Sequence, residues 1–186
     1  MADIYEVGIV GSGIMGAGLA EVAARAGYEV VVRSRTMDGA EGVLGTIGTG
    51  LDRQVAKERL TAEERDAIVG RIRVTDHLGQ LAGCDLVIES VVEDLAIKKA
   101  LFAELEQIVK PDGILATNTS TLPVVEMAMA TQRPSLVCGI HFFNPAPVMK
   151  LVEIVRPVTA DDATIAAATE FAERCGKDAV LVEDRA

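Results

Sequence analysis

A glycine-rich turn between an apolar run and a helical segment most constrains how this chain can fold. Residues 7–10 are a short β-branched run, and residues 14–26 are rich in alanine without proline, so a buried strand and a helix are predicted. In this context GxGxxG spacing is typical of dinucleotide binding: Gly11 allows the tight turn, Gly13 the close approach of a pyrophosphate, and Gly16 helix–strand packing. The predicted cofactor-binding turn comprises Gly11, Ser12, Gly13, Ile14, Met15 and Gly16.

The rest of the chain alternates short apolar runs with helical stretches. Residues 38–70 predict two antiparallel helices joined near Leu60, with a capping box at Thr61 and Glu64. The pattern favours an α/β fold of the Rossmann type: a doubly wound, mostly parallel sheet with a helical hairpin after the second strand. Residues 1–186 are predicted to form one dinucleotide-binding domain. Further strands are predicted at 29–33, 71–75, 85–89, 113–116, 136–140, 151–155 and 180–182, and further helices at 94–109 and 161–174.

Composition and charge exclude several classes of function. Hydrophobic residues make up 49% of the chain, which excludes a disordered protein, and the net charge of −10 disfavours a nucleic-acid partner. The sequence contains neither an apolar run of about 18 residues nor a secretory leader, so we expect no membrane partner and a cytoplasmic location. Cys84, Cys138 and Cys175 form no CxxC pair, which predicts buried thiols in a reducing compartment and no metal site.

The residue after the second predicted strand bears on the choice of cofactor. An aspartate or glutamate normally binds the adenosine ribose there, but this position is Ser34, between Arg33 and Arg35. A small hydroxyl beside arginine suits a 2′-phosphate, because guanidinium binds phosphate through paired hydrogen bonds. The sequence therefore favours NADP over NAD through Ser34 and Arg35. An enzyme that uses NAD and has a solvated arginine here remains the alternative.

Two histidines are present, and they have different surroundings. His77 lies in a polar turn and is expected to be an exposed bystander. His141 lies just beyond the predicted strand 136–140, at the edge of the sheet where open α/β folds place ligands, and can exchange a proton near neutral pH. Glu153, on the next strand, could orient the imidazole and stabilise its charged form. Ser120, at another strand end, also points to a catalytic rather than structural histidine.

Four segments together resemble the 3-hydroxyacyl-CoA dehydrogenase family: GSGIMG, DLVIESVVEDLAIKKALFAEL, NTSTL and HFFNPAPVMKLVEIV. The likeness runs from about residue 5 to the end, and HFFNPAPVMKLVE is its most specific part. The family implies oxidation of the 3-hydroxyl of an acyl-CoA, with hydride passing to the nicotinamide of NAD or NADP. By resemblance, His141 is the general base, Glu153 is its orienting partner, and Ser120 donates a hydrogen bond to the substrate oxygen.

The resemblance also implies further binding residues. Glu93, Lys98, Asn118 and Asn144 match positions at the cofactor, and Lys57 falls where a lysine meets the phosphates of coenzyme A. For Lys98 a helix-surface cation remains the alternative, and for Glu93 an acid that favours the helix dipole. For Lys57 it is a solvated charge.

The chain departs from the family pattern in two ways. Ser34 replaces the acidic ribose ligand. The family also continues with a PGFVVNR-like segment that holds a catalytic asparagine, and with a helical domain that dimerises; this chain ends first. The expectation is a nucleotide-binding half of a homodimeric enzyme that turns over acyl-CoA poorly by itself.

Two other classes of function compete with this interpretation. GxGIMG followed by SRT also resembles the NADP-linked β-hydroxyacid dehydrogenases, but their catalytic lysine after a GxSGG-like turn has no counterpart here. A non-catalytic dinucleotide-binding module is the second alternative, since a fold alone does not imply chemistry.

Overall fold

The computed structural model describes residues 3–185, in which eight strands form. Each predicted strand overlaps an observed one, so the predicted order is confirmed. In chain order the strands are β1 (Glu6–Val10), β2 (Glu29–Arg33), β3 (Ile72–Thr75), β4 (Leu86–Glu89), β5 (Ile114–Thr117), β6 (Val137–Phe142), β7 (Leu151–Arg156) and β8 (Asp178–Glu183).

Six α-helices of the same range connect the strands: α1 (Ile14–Arg25), α2 (Met37–Val55), α3 (Ala62–Gly70), α4 (Leu95–Ile108), α5 (Val124–Ala128) and α6 (Asp162–Arg174). The helices α2 and α3 are the predicted pair, and the capping box at Thr61 and Glu64 forms at the start of α3. The five-residue helix α5 was not predicted, because it is too short for an apolar period to show in the sequence.

The strands form one sheet in the order β3-β2-β1-β4-β5-β6-β7-β8. The strands β1 to β6 are parallel, β7 is antiparallel to β6, and β8 is parallel to β7. The doubly wound, mostly parallel Rossmann-type fold is thereby confirmed, with the strand order reversing between β1 and β4. Because β7 runs in the opposite direction, its first residues lie at the edge formed by the carboxyl ends of β1 to β6.

Helices cover both faces of the sheet and create two hydrophobic clusters. On β2, Val30 and Val32 belong to one cluster and Val31 to the other, as strand alternation requires. The first cluster includes Leu19 of α1, and the second includes Phe102 of α4. The sheet is thus buried on both faces, and its carboxyl edge is the place where side chains can meet a ligand.

The three cysteines are free thiols, of which Cys84 and Cys138 are buried and Cys175 is half-buried. Burial raises the pKa of each thiol to about 12. The thiols are therefore protonated near neutral pH and are weak nucleophiles, in keeping with a structural role.

Asp85 fastens the amino end of β4 to β1 and to the segment after α4. Its Oδ2 atom accepts hydrogen bonds from the backbone N–H groups of Tyr5 at 2.7 Å and Glu6 at 2.8 Å, and its Oδ1 atom accepts one from the Lys110 ammonium. Burial raises the pKa of the Asp85 carboxyl, but the bonds from Glu6, Lys110 and Tyr5 outweigh burial and hold the pKa below its usual range. The ionised carboxylate therefore stabilises the fold above the unfolded-state pKa near 4.

We expect Asp85→Asn to lower the free energy of unfolding by about 1–3 kcal/mol at pH 7, because charge-assisted hydrogen bonds are lost. The difference from wild type should shrink as pH falls through the lowered pKa of Asp85, since the wild-type carboxyl is then protonated too. Urea unfolding at pH 7 and near pH 3 measures both values. Asp112→Asn, an exposed acid near the same lysine, is the control and should change stability by less than about 0.5 kcal/mol. An equal loss at both pH values would contradict the electrostatic explanation.

Candidate active site

The glycine turn joins β1 to α1 at the point where the strand order reverses. Gly11 has a φ of 130°, and its N–H donates to the Arg33 carbonyl at 3.0 Å. A Cβ atom on Gly11 would overlap the Ser90 carbonyl oxygen, and one on Gly16 would overlap the Gly11 carbonyl oxygen. Close packing of the backbone on itself therefore requires glycine at both positions.

Gly13 occupies the turn for a different reason. A Cβ atom added there would meet nothing within 4 Å, so protein packing does not require glycine at this position. Gly13 is also the N-cap of α1, and neither a capping side chain nor an acidic residue covers the first turn of that helix. Open space and uncapped N–H groups at a helix N-terminus fit a pyrophosphate. Ser12 and Ile14 flank this cradle and are exposed, while Met15 packs against the core.

The end of β2 lies beside the glycine turn. Ser34 is buried, and its hydroxyl lies 2.8 Å from the Ser12 hydroxyl. The Arg33 guanidinium donates to the Asp76 carbonyl at 3.2 Å, whereas Arg35 is exposed at the surface. Of the two arginines, Arg35 is thus the one whose side chain is accessible to a ligand.

His141 and Glu153 face each other across β6 and β7. The two residues are paired in register, and the imidazole Nδ1 atom lies 2.9 Å from the Glu153 Oε2 atom. The His141 side chain is 14% exposed and contacts the Phe143 ring at a centroid distance of 4.5 Å. When Nδ1 donates its proton to the carboxylate, the neutral imidazole presents an unprotonated Nε2 atom as a base.

The location of His141 corrects the predicted strand boundary. The sequence placed this residue just after strand 136–140, but β6 continues to Phe142. The aromatic residues of HFF favour extended backbone, and the Phe142 N–H donates to the Asn118 Oδ1 atom at 2.8 Å. The imidazole is consequently held by a strand and not by a loop.

Ser120 and Asn118 lie in the segment that follows β5. The Asn118 side chain joins this segment to β6, and its own N–H donates to the Glu89 carbonyl at 2.8 Å. Ser120 is exposed, and its N–H donates to the Glu93 Oε1 atom at 3.1 Å. The serine is therefore placed by contacts to its backbone, and its hydroxyl faces solvent.

Lys98 is buried, not a helix-surface cation as one interpretation of the sequence had it. Its side chain is 1% exposed, and its ammonium lies 2.7 Å and 2.8 Å from the two carboxylate oxygens of Glu89 and 3.2 Å from Glu93. Glu93 does not cap α4 either, because the helix N-cap is Asp94. Burial raises the pKa of the Glu93 carboxyl, but a hydrogen bond from the Thr119 hydroxyl and the charge of Lys98 outweigh burial and lower it.

Glu89 is the member of this group that sequence reasoning missed. It is fully buried at the end of β4 and accepts hydrogen bonds from the Val91 N–H at 2.6 Å and the Thr117 hydroxyl at 2.7 Å, besides those from Lys98. The signal was a carboxylate that closes the apolar run DLVIE at the ligand-binding edge of the sheet.

The loop 143–149, between β6 and β7, carries Asn144, which is exposed. Ala146 of this loop packs on α1, where Gly18 leaves room for it. The buried Lys177 ammonium donates to the Ala146 carbonyl at 2.6 Å and to the Met149 carbonyl at 2.9 Å. These contacts hold the Asn144 loop beside the cofactor helix, and Lys177 was not singled out from the sequence.

Two histidine and lysine candidates lie apart from this group. His77 is exposed, with 83% of its side chain accessible, and lies 3.4 Å from Asp76. Lys57 is exposed in the turn between α2 and α3. A 19-residue helix is about 28 Å long, so α2 separates Lys57 from Ser34 by about that distance. A role for Lys57 toward coenzyme A stays a prediction.

Within residues 3–185, no group of three or more His, Cys, Asp or Glu side chains could hold a metal ion. Among the helices described, none combines the length and apolar character that a membrane crossing requires.

The fold and the arrangement of this edge define a Rossmann-type domain, and comparison with known proteins specifies it further. Residues 6–185 match the family model described as 3-hydroxyacyl-CoA dehydrogenase, NAD binding domain. The chain therefore belongs to the NAD-binding domain family of 3-hydroxyacyl-CoA dehydrogenases. This membership favours the resemblance given above over the β-hydroxyacid dehydrogenases.

Individual relatives agree with the family match. The chain is 43% identical over 183 residues to the 3-hydroxybutyryl-CoA dehydrogenase of Bradyrhizobium diazoefficiens, covering 98% of this chain and 62% of the relative. It is 45% identical to the 3-hydroxybutyryl-CoA dehydrogenase of Mycobacterium tuberculosis, covering 100% of this chain and 66% of the relative. The chain thus spans slightly less than two thirds of the length of these curated relatives.

Solved structures show the same architecture. The crystal structure of M. tuberculosis FadB2 superposes with a TM-score of 0.96 at 44% identity, covering 100% of this chain and 66% of that one. The (S)-3-hydroxybutyryl-CoA dehydrogenase of Ralstonia eutropha gives a TM-score of 0.96 at 34% identity, covering 98% of this chain and 65% of that one.

Proposed function

We propose that this domain binds a nicotinamide dinucleotide and serves a dehydrogenase that oxidises the 3-hydroxyl group of a short-chain acyl-CoA. The observation that carries the proposal is the His141–Glu153 couple, which joins Nδ1 to Oε2 at 2.9 Å on the sheet edge that also holds the Gly11–Gly16 turn. A general base and a dinucleotide cradle on one edge are the parts that hydroxyl oxidation needs.

In this mechanism His141 removes the proton of the substrate hydroxyl through its Nε2 atom. Glu153 accepts the Nδ1–H bond, which fixes the tautomer and stabilises the imidazolium that forms. The Ser120 hydroxyl donates to the substrate oxygen while its carbonyl character develops. The nicotinamide ring, when bound, supplies the hydride acceptor. In the reverse direction His141 returns the proton as a general acid.

The dinucleotide is proposed to contact further residues along the edge. The glycine turn and the first N–H groups of α1 would hold the pyrophosphate, while Glu93, Lys98, Asn118 and Asn144 would surround the nicotinamide half. The relatives are longer than the span they share with this chain, so we propose that the rest of such an enzyme completes the acyl-CoA site and forms a homodimer. Lys57 is proposed to contact coenzyme A, and the cytoplasmic location stays a prediction.

We also propose that the cofactor is NADP. Ser34 leaves the ribose position without a carboxylate, and the exposed Arg35 next to it can bind a 2′-phosphate through paired hydrogen bonds. The NAD named in the family description and the nearby Asp38, in the first turn of α2, are the opposing considerations.

Titrations of NADH and NADPH into the chain, followed by cofactor fluorescence, test both parts of the proposal. NADPH should bind more tightly than NADH, and Arg35→Asp should weaken NADPH binding about tenfold or more, because a charge-assisted contact becomes a repulsive one. Arg53→Asp, at the far end of α2, makes the same charge change about 27 Å away and should alter neither affinity by more than about twofold. Tighter binding of NADH, unchanged by Arg35→Asp, would contradict the NADP assignment.

A further inference from the structure

Two carboxylates and one ammonium meet at the carboxyl ends of β4 and β5. Glu89 is 0% exposed, Lys98 is 1% exposed, and Glu93 reaches the surface with 39% of its side chain exposed. We call these three residues the strand-end cluster. With both acids ionised and the lysine protonated, the cluster carries a net charge of −1.

The distances show where that charge resides. Lys98 contacts both oxygens of Glu89, at 2.7 Å and 2.8 Å, but only one oxygen of Glu93, at the longer distance of 3.2 Å. The Val91 N–H and the Thr117 hydroxyl complete the hydrogen bonding of Glu89. Glu89 and Lys98 therefore neutralise each other in the interior, and the negative charge that is left over lies on Glu93.

The uncompensated charge lies next to the reaction site. Glu93 accepts hydrogen bonds from the Thr119 hydroxyl and from the Ser120 N–H, so its carboxylate is one residue away from the proposed donor to the substrate oxygen. An inference about the cofactor rests here on the proposed function, in which Ser120 and the nicotinamide ring contact the same substrate carbonyl group. The oxidised ring carries one positive charge, and the reduced ring is neutral. Unit charges several ångströms apart at a protein surface interact appreciably.

We infer that Glu89 is a positioning residue which, by engaging Lys98, keeps the Glu93 charge free to favour the oxidised form of the bound nicotinamide. Without Glu89, the same ammonium has Glu93 as its carboxylate partner, and the charge at the nicotinamide edge is cancelled. Glu89 thereby affects the relative affinities of the two redox forms without touching the cofactor.

The test compares Glu89→Gln with wild type by measuring dissociation constants of the oxidised and reduced dinucleotide, NAD or NADP, whichever the wild type binds more tightly. Glutamine keeps the shape and can still accept from Val91 and Lys98 while removing the charge. The ratio of the oxidised to the reduced dissociation constant should rise about tenfold, which corresponds to about +30 mV in the midpoint potential of the bound two-electron couple. A purely structural loss would weaken both forms alike and leave the ratio unchanged.

Glu126→Gln is the matched control. It also removes a carboxylate paired with a lysine of α4, since Lys99 lies 2.7 Å from Glu126, but this pair is partly exposed and holds no contact with Ser120. Its ratio should stay within about twofold of wild type. Should Glu89→Gln fail to fold, Glu93→Gln decides the question, because it removes the free charge itself and should raise the ratio in the same way.

The two levels of proposal fail differently. A ratio that does not move in a folded Glu89→Gln or Glu93→Gln protein that binds both forms overturns this inference alone. A wild-type chain that binds neither redox form of NAD or NADP overturns the proposed function, and the inference with it.

Discussion

Replacing His141 by glutamine is expected to lower kcat for oxidation of 3-hydroxybutyryl-CoA by about 100-fold or more. Glutamine fills a similar volume and can still bond to Glu153, but it cannot take the proton of the substrate hydroxyl. The dissociation constant of the cofactor should change by less than about twofold, because the glycine turn and α1 are untouched. Steady-state kinetics and a cofactor titration measure the two quantities.

The assay for His141 uses the longest form of the protein, because the relatives are longer than the span shared with this chain. His77→Gln is the control: this histidine is exposed at the end of β3 and should leave kcat within about twofold of wild type. A small effect of His141→Gln on kcat would remove His141 from the base role. A normal rate from the 186-residue chain by itself would show that the additional length of the relatives is dispensable for catalysis.

Gly16→Ala is expected to damage the fold and the cofactor site together. Its Cβ atom would overlap the Gly11 carbonyl oxygen, which cannot move without opening the turn. Overpacking of this kind destabilises by about 1–3 kcal/mol, or roughly 2–12 °C in Tm for a chain of this size. NADH and NADPH should bind about 100-fold more weakly, because the turn no longer presents its N–H groups in one place.

Gly13→Ala separates the requirement of the cofactor from that of the fold. Its Cβ atom meets no protein atom within 4 Å, so Tm should stay close to wild type, while cofactor affinity should still fall. Gly42→Ala, within α2 and equally free of neighbours, is the control and should leave affinity unchanged while raising stability by about 0.5–1 kcal/mol. Undiminished affinity in Gly13→Ala would mean that the pyrophosphate does not lie over this turn.

The Rossmann-type fold could be predicted because its first elements carry strong local signals. The apolar run before Gly11, the helix after it, and EVVVR at β2 each combine a clear period with a clear end. The capping box at Thr61 likewise depends on residues three apart and formed as predicted. Signals of this kind lie within a few residues, so the sequence alone contains them.

Other features depend on residues far apart in the chain. The run LVEIV at β7 predicts a strand but has no signal for its direction, which is set by pairing with β6. The periodicity of α4 does not reveal that Lys98 is buried, because its carboxylate partner Glu89 comes from β4. Resemblance brought His141, Glu153 and Ser120 together as a proposed site, but the contact between Glu93 and the Ser120 backbone needed coordinates.

The reversed direction of β7 has an evolutionary consequence. His141 and Glu153 are cross-strand neighbours, so sheet hydrogen bonding and not the intervening connection sets their separation. Insertions or deletions in that connection can accumulate without disturbing the acid–base couple. Natural or laboratory selection can therefore reshape the substrate-facing rim for new acyl groups while proton transfer is inherited intact.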